Sequence, residues 1–87
     1  MLVDDNRLNL RVEKEILEKV GLYVDTVQNG QEALFMIKET KYDLILLDVR
    51  MPDMNGYELA KNIRKNKDYK KTPMVALIVI YELRSTI

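Results

Sequence analysis

The segment Asp43-Leu44-Ile45-Leu46-Leu47-Asp48-Val49-Arg50-Met51-Pro52-Asp53-Met54-Asn55-Gly56 constrains this chain more than any other. Leu44 to Leu47 is an apolar run without alternation, the pattern of a strand buried on both faces of a parallel α/β sheet. The run stops at Asp48, and Pro52 and Gly56 then mark a loop. A carboxylate at the carboxyl end of a buried strand stands where open α/β sheets bind ligands. The same residue can also do no more than open a turn or cap the loop, so its meaning depends on the rest of the chain.

The remaining residues alternate between strand-like and helix-like patterns. Residues 2–5 read as the end of a strand. A helix follows from Asn6, with Leu8, Val12, Ile16 and Val20 four apart and Leu17 beside them. Asp5 or Asn6 serves as its N-cap, and Gly21 ends it. Leu22 to Val27 reads as a strand, and Asp25 within it suits the edge of a sheet. Asn29-Gly30 is a turn. Gln31 to Glu39 forms a short helix with Ala33, Leu34 and Ile37 on one stripe, extended by Phe35 and Met36. After Gly56 a third helix runs to about Asn66 and buries Leu59 and Ile63. Its basic run, Lys61, Arg64, Lys65 and Lys67, reads as a solvated face. Asp68 to Lys71 is a polar loop, and Met74 to Val79 is a fourth, apolar strand.

The order β-α-β-α-β-α-β specifies a doubly wound parallel sheet with right-handed crossovers. The 87 residues suffice for one domain, residues 1–87, whose tail 80–87 fits both a strand and a short helix. Fourteen basic residues balance fourteen acidic ones, so no net field draws nucleic acid or an anionic membrane. Cysteine and histidine are both missing, which excludes a disulfide, a thiolate nucleophile and a histidine base or ligand on these residues. The lack of cysteine fits a reducing, cytoplasmic setting. Asp4 follows only three residues, which leaves no room for a signal peptide, and the apolar run from Met74 to Tyr81 is too short for a bilayer.

In a sheet of order 2-1-3-4 the first and third strands are adjacent at the switch point. Asp4-Asp5 and Asp48 then share one crevice. Three carboxylates in one place repel unless a cation intervenes. A hard divalent ion, Mg²⁺ or Mn²⁺, suits an all-oxygen set. A carboxylate beside such an ion can attack phosphorus and become an aspartyl phosphate. Helix capping remains the plainer reading of Asp4 and Asp5.

Leu2-Val3-Asp4-Asp5-Asn6 and the run from Leu46 to Gly56 resemble the signature segments of bacterial two-component response-regulator receiver domains, the CheY-like family. The resemblance covers residues 1 to about 79. It implies a CheY-like, flavodoxin-like sheet and a phosphorelay module that is not an enzyme. Asp48 would accept a phosphoryl group from a histidine kinase or phosphotransfer protein. Asp5, Asp48 and the backbone carbonyl of Arg50 would hold the metal, with Asp4 acting through water. Pro52 and Gly56 would shape the loop into the third helix.

Departures from the family pattern accompany these matches. A hydroxyl residue is usual at the end of the fourth strand, and Ile78 stands there. Ile78 cannot donate a hydrogen bond to a phosphoryl group. The lysine of the fifth strand has no match, and that strand and the last helices are missing from the sequence. The runner-up reading is therefore a degenerate or truncated receiver that only binds or oligomerises. An aspartyl-nucleophile phosphatase fits less well, because Asp48-Val49-Arg50 lacks the Asp-x-Asp that such enzymes carry. Eight residues after Val79 cannot cover an apolar fourth strand, so the sequence predicts a homo-oligomer built through its C-terminal segment.

Overall fold

The structure, a computed structural model, describes residues 1–51 and 54–77. Four parallel strands form one sheet: β1 (Leu2–Val3), β2 (Thr26–Val27), β3 (Ile45–Leu47) and β4 (Met74–Ala76). Their order is β2-β1-β3-β4, the order of the CheY-like sheet that the resemblance implies. The helices are α1 (Arg7–Lys19), α2 (Gly30–Glu39) and α3 (Gly56–Arg64). Each is capped by an asparagine. The Asn6, Asn29 and Asn55 side chains accept from the backbone N–H groups of Asn9, Glu32 and Glu58 at 3.0, 2.8 and 2.9 Å. Such caps satisfy amides that a helix start leaves without partners. Gly21 ends the α1 segment at φ +93°, a conformation that only glycine adopts readily.

Among the described residues the two faces of the sheet are covered unequally. Val3, Val27, Ile45 and Leu47 pack with Ala33 and Ile37 of α2 and with Leu59 and Ile63 of α3. On the opposite face Leu2, Leu10 and Leu77 form a smaller cluster, with Leu17, Val24 and Leu46 against it. Each fully buried aliphatic side chain stabilises the fold by about 1.5–3 kcal/mol. Most of that stabilisation therefore lies on the α2–α3 side.

Three expectations are corrected here. The ridge Leu8, Val12, Ile16 and Val20 does not face the sheet; all four are exposed. The face α1 presents is Leu10 and Glu13, both buried, with Leu17 half-buried. A glutamate in the middle of that stripe hid it from a reading based on apolar residues alone. Phe35 is also exposed rather than part of the α2 stripe. The polar loop after α3 contains a short 3₁₀ turn, Lys67–Tyr69, whose Tyr69 is buried in the main core. The Tyr69 hydroxyl bonds the carbonyls of Ile37 and Thr40 at 3.0 and 2.9 Å, which is how a polar tip is accommodated there. Among the described residues Val75, on β4, is 49% exposed, in line with the expectation that the fourth strand lacks full cover. Pro52, Asp53, Ile78 and the tail 80–87 lie outside the described residues.

Two glycines let α2 and α3 approach their neighbours. A Cβ on Gly56 would stand 2.7 Å from the Asp48 carbonyl oxygen and 3.0 Å from the Val49 Cα. A Cβ on Gly30 would stand 2.8 Å from the Met54 sulfur, the mobile part of a flexible side chain. We expect Gly56→Ala to lose about 1–3 kcal/mol in urea denaturation, the range for overpacking against a fixed neighbour. Gly30→Ala should lose distinctly less, because Met54 can move aside. Equal losses would contradict the close approach at Asp48.

Candidate functional site

The parallel ladder carries the acidic residues to one place. Leu2 pairs with Leu46 and Val3 with Leu47. One step further, the Asp48 N–H donates to the Val3 carbonyl at 2.8 Å. The Asp4 N–H donates to the Val27 carbonyl at 3.1 Å. Both aspartates are thus fixed by strand hydrogen bonds at the carboxyl edge of adjacent strands. Asp4 and Asp48 are buried at 2% and 5% exposure, whereas Asp5 is exposed. Asp4, Asp5 and Asp48 each offer a carboxylate oxygen, and these oxygens all lie within 4.8 Å of one another.

Each buried carboxylate is also turned by a local hydrogen bond. The Asn6 N–H donates to Asp4 Oδ1 at 3.0 Å, and the Arg50 N–H donates to Asp48 Oδ1 at 3.0 Å. These bonds close tight turns at the two strand ends, which sets the direction of each side chain. Burial holds the Asp4 carboxyl above its ordinary pKa; the Asn6 amide draws it partly back, and the neighbouring Asp48 charge pushes it up again.

The donor set fits a hard divalent cation. Ligand oxygens around Mg²⁺ stand roughly 3–4 Å apart, given metal–oxygen distances of about 2.1 Å. A cluster within 4.8 Å needs little adjustment to reach that spacing and leaves room for water. Among the sequence-derived site residues, the structure brings together Asp4, Asp5, Asp48, Arg50 and Gly56. Gly56 lies against the backbone of Asp48 and Val49 at the start of α3. Pro52 and Ile78 fall outside the described residues. Glu13, buried on α1 in the face turned to the sheet, is a charged group that the sequence reading passed over. Its signal was available: a glutamate between Leu10 and Leu17 at helical spacing.

An acidic, oxygen-only cleft at the switch point of a parallel α/β sheet defines a class of cation-dependent sites at which phosphate chemistry is carried out. The comparisons narrow that class to a family. The family described as "Response regulator receiver domain" matches residues 1–82. Hybrid signal transduction histidine kinase L of Dictyostelium discoideum is 38% identical over 81 residues, which span 90% of this chain and 5% of that protein. The chemotaxis protein CheY4 of Vibrio cholerae superposes with a TM-score of 0.83 at 35% identity, over 86% of this chain and 62% of that one. The receiver domain of sensor histidine kinase PA1611 from Pseudomonas aeruginosa PAO1 superposes at 0.81 and 33% identity, covering 86% and 62%. That structure holds a magnesium ion coordinated in its active site cleft. The chain belongs to the response regulator receiver family, whose members are receiver modules of two-component phosphorelays. It spans under two thirds of these relatives' own lengths. No helix among the described residues is long and apolar enough to cross a membrane.

The raised pKa of Asp4 fixes the sign of a pH effect. The folded state holds the Asp4 proton more tightly than the unfolded chain does, so stability falls as pH rises above the ordinary carboxylate range. Asp4→Asn removes that loss. In chelator, the variant should melt above the wild type at about pH 7, with the gain shrinking toward about pH 4. A gain that is the same at both pH values would contradict the burial argument.

Proposed function

We propose that this chain accepts a phosphoryl group on Asp48 from the phosphohistidine of a histidine kinase or phosphotransfer protein, in a Mg²⁺-dependent reaction. The observation that carries the reading is the approach of Asp4, Asp5 and Asp48 at the carboxyl ends of β1 and β3. An Asp48 carboxylate oxygen attacks phosphorus, a P–O bond forms, the P–N bond breaks, and the imidazole leaves with its electron pair and takes up a proton. The chain's part is positional: the Val3 carbonyl and the Arg50 amide hold Asp48 in place, and its burial keeps competing water away. Asp5, Asp48 and the Arg50 carbonyl would hold the cation, with Asp4 acting through water. When bound, the cation neutralises charge on the phosphoryl oxygens. Mn²⁺ has the same preference for oxygen and would substitute.

The product is a signal rather than a released compound, so the chain works as a module and not as an enzyme. We assign residues 1–87 to one receiver domain, and its freedom from cysteine fits a cytoplasmic setting.

Treatment with acetyl phosphate and Mg²⁺, followed by intact-mass measurement, should add one phosphoryl group. Asp48→Asn should abolish the addition, and Asp5→Ala should slow it by weakening the cation site. Unchanged labelling in Asp48→Asn would remove Asp48 from the reaction.

We further propose that the chain forms a homo-oligomer through its C-terminal part. β4 is an edge of the described sheet, and Val75 on it is half exposed. Parallel edges with apolar side chains favour pairing with another chain. The segment that would lie in such an interface falls outside the described residues. Sedimentation at low micromolar concentration should show a dimer or larger species, shifted toward monomer by Val75→Lys. A wild-type monomer would contradict the proposal.

A further inference from the structure

We propose that the amino edge of the sheet, opposite the acidic cleft, docks on an anionic lipid surface. The strands are parallel, so the connections α1–β2, α2–β3 and α3–β4 all lie at that edge. The connection before β4 is basic. Residues 61–71 hold six basic residues and one acidic, Asp68, which leaves eight basic and thirteen acidic residues in the rest of the chain. The overall balance thus conceals a local positive field. Lys61 and Arg64, in the last turn of α3, complement the helix dipole, whereas Lys67, Lys70 and Lys71 lie beyond it and are exposed. Among the described residues the one ion pair joins Arg11 to Glu15, so none of these lysines is in an ion pair. The turn that displays them is fixed. Tyr69 is buried, its carbonyl accepts from Arg64 Nη1 at 2.6 Å, and Lys41 Nζ stands 4.2 Å from the centre of its ring.

The connection before β2 begins apolar. Val20 and Leu22, on either side of the turn at Gly21, are 72% and 43% exposed, and Tyr23 is fully exposed. Single apolar side chains on a surface are ordinary; three within four residues form a patch that contact would cover. β2 and β4 are the outer strands, three strand spacings apart, or about 14 Å. A lipid surface is broad enough to meet both connections at once. Its anionic headgroups take the lysines, while Val20, Leu22 and the Tyr23 ring enter the interfacial layer, where tyrosine is favoured. A nucleic acid or an acidic peptide seated on the lysines leaves the apolar patch in water. The exposed acids of this edge, Glu18, Asp25, Glu39 and Asp43, belong to the β2 and β3 connections, so the attraction comes from the β4 side. Docked in this way, the chain turns Asp4, Asp5 and Asp48 away from the membrane.

The test is co-sedimentation of the full chain with vesicles of phosphatidylcholine, with and without phosphatidylserine. The chain should bind the phosphatidylserine vesicles, release them at about 1 M salt, and ignore phosphatidylcholine alone. Lys70→Gln and Lys71→Gln should each weaken binding about fivefold. Tyr23→Ser should weaken it as well. Tyr23→Trp should bind like wild type, and because the chain has no other tryptophan, its emission should shift to the blue on vesicles alone. All these positions are exposed, and each variant should melt with the wild type. Wild-type protein that stays in solution, or binds both kinds of vesicle equally, would overturn the proposal. Unchanged binding in both lysine variants would remove the basic turn from it. Weakening by the lysine variants with no effect of Tyr23→Ser and no shift in Tyr23→Trp would mark a site for soluble polyanions and overturn the membrane assignment.

Discussion

The hydrogen bond from the Asp48 amide to the Val3 carbonyl, at 2.8 Å, is the contact on which the site depends. It extends the β1–β3 ladder by one residue, to the point where both strands end in acid. A register slip of one residue would exchange the faces of β3, sending Ile45 and Leu47 out of the main core. The burial of Ile45 and Leu47, at 0% and 3% exposure, therefore fixes the register, and the register fixes the carboxylates. Packing energy from one face of the sheet is in this way converted into the geometry of three charged groups at its edge.

Charges brought together by packing repel, and the protein meets this locally. Asp4 and Asp48 each accept one backbone N–H from a residue two places ahead, and Asp5 remains in solvent. Backbone amides favour the ionised form of a carboxylate, while burial and a neighbouring anion disfavour it. For Asp4 burial is the larger influence, and its carboxyl is held above the ordinary carboxylate range. A divalent cation held there, as proposed, would offset both influences. Gly56 completes the arrangement by letting α3 start against the Asp48 carbonyl, where any side chain would intrude.

Strand-ending acids were legible in the sequence because a buried strand has an unmistakable composition and the change at Asp48 is abrupt. Alternation implied parallel strands with right-handed crossovers, whereas the order 2-1-3-4 is one doubly wound arrangement among others and came with the family resemblance. The contact face of α1 was not legible, since two apolar ridges compete on that helix. Leu8, Val12, Ile16 and Val20 make the longer ridge yet lie exposed, while Leu10 and Leu17 with Glu13 between them face the sheet. Periodicity counts apolar residues, and Glu13 is not one of them. Tyr69 escaped for the converse reason: it sits in a polar stretch, and its burial depends on the carbonyls of Ile37 and Thr40, which only the fold brings near.

The central claim is that the β1–β3 ladder assembles a cation site at its carboxyl edge. Amide chemical shifts during a Mg²⁺ titration test it most directly. The account predicts the largest shifts at Asp4, Asp5, Asn6 and Asp48 to Arg50, with Tyr42 and Asp25 at the opposite edge unmoved. Shifts centred on Asp25 and Asp43, or spread evenly over the exposed acids, would contradict it.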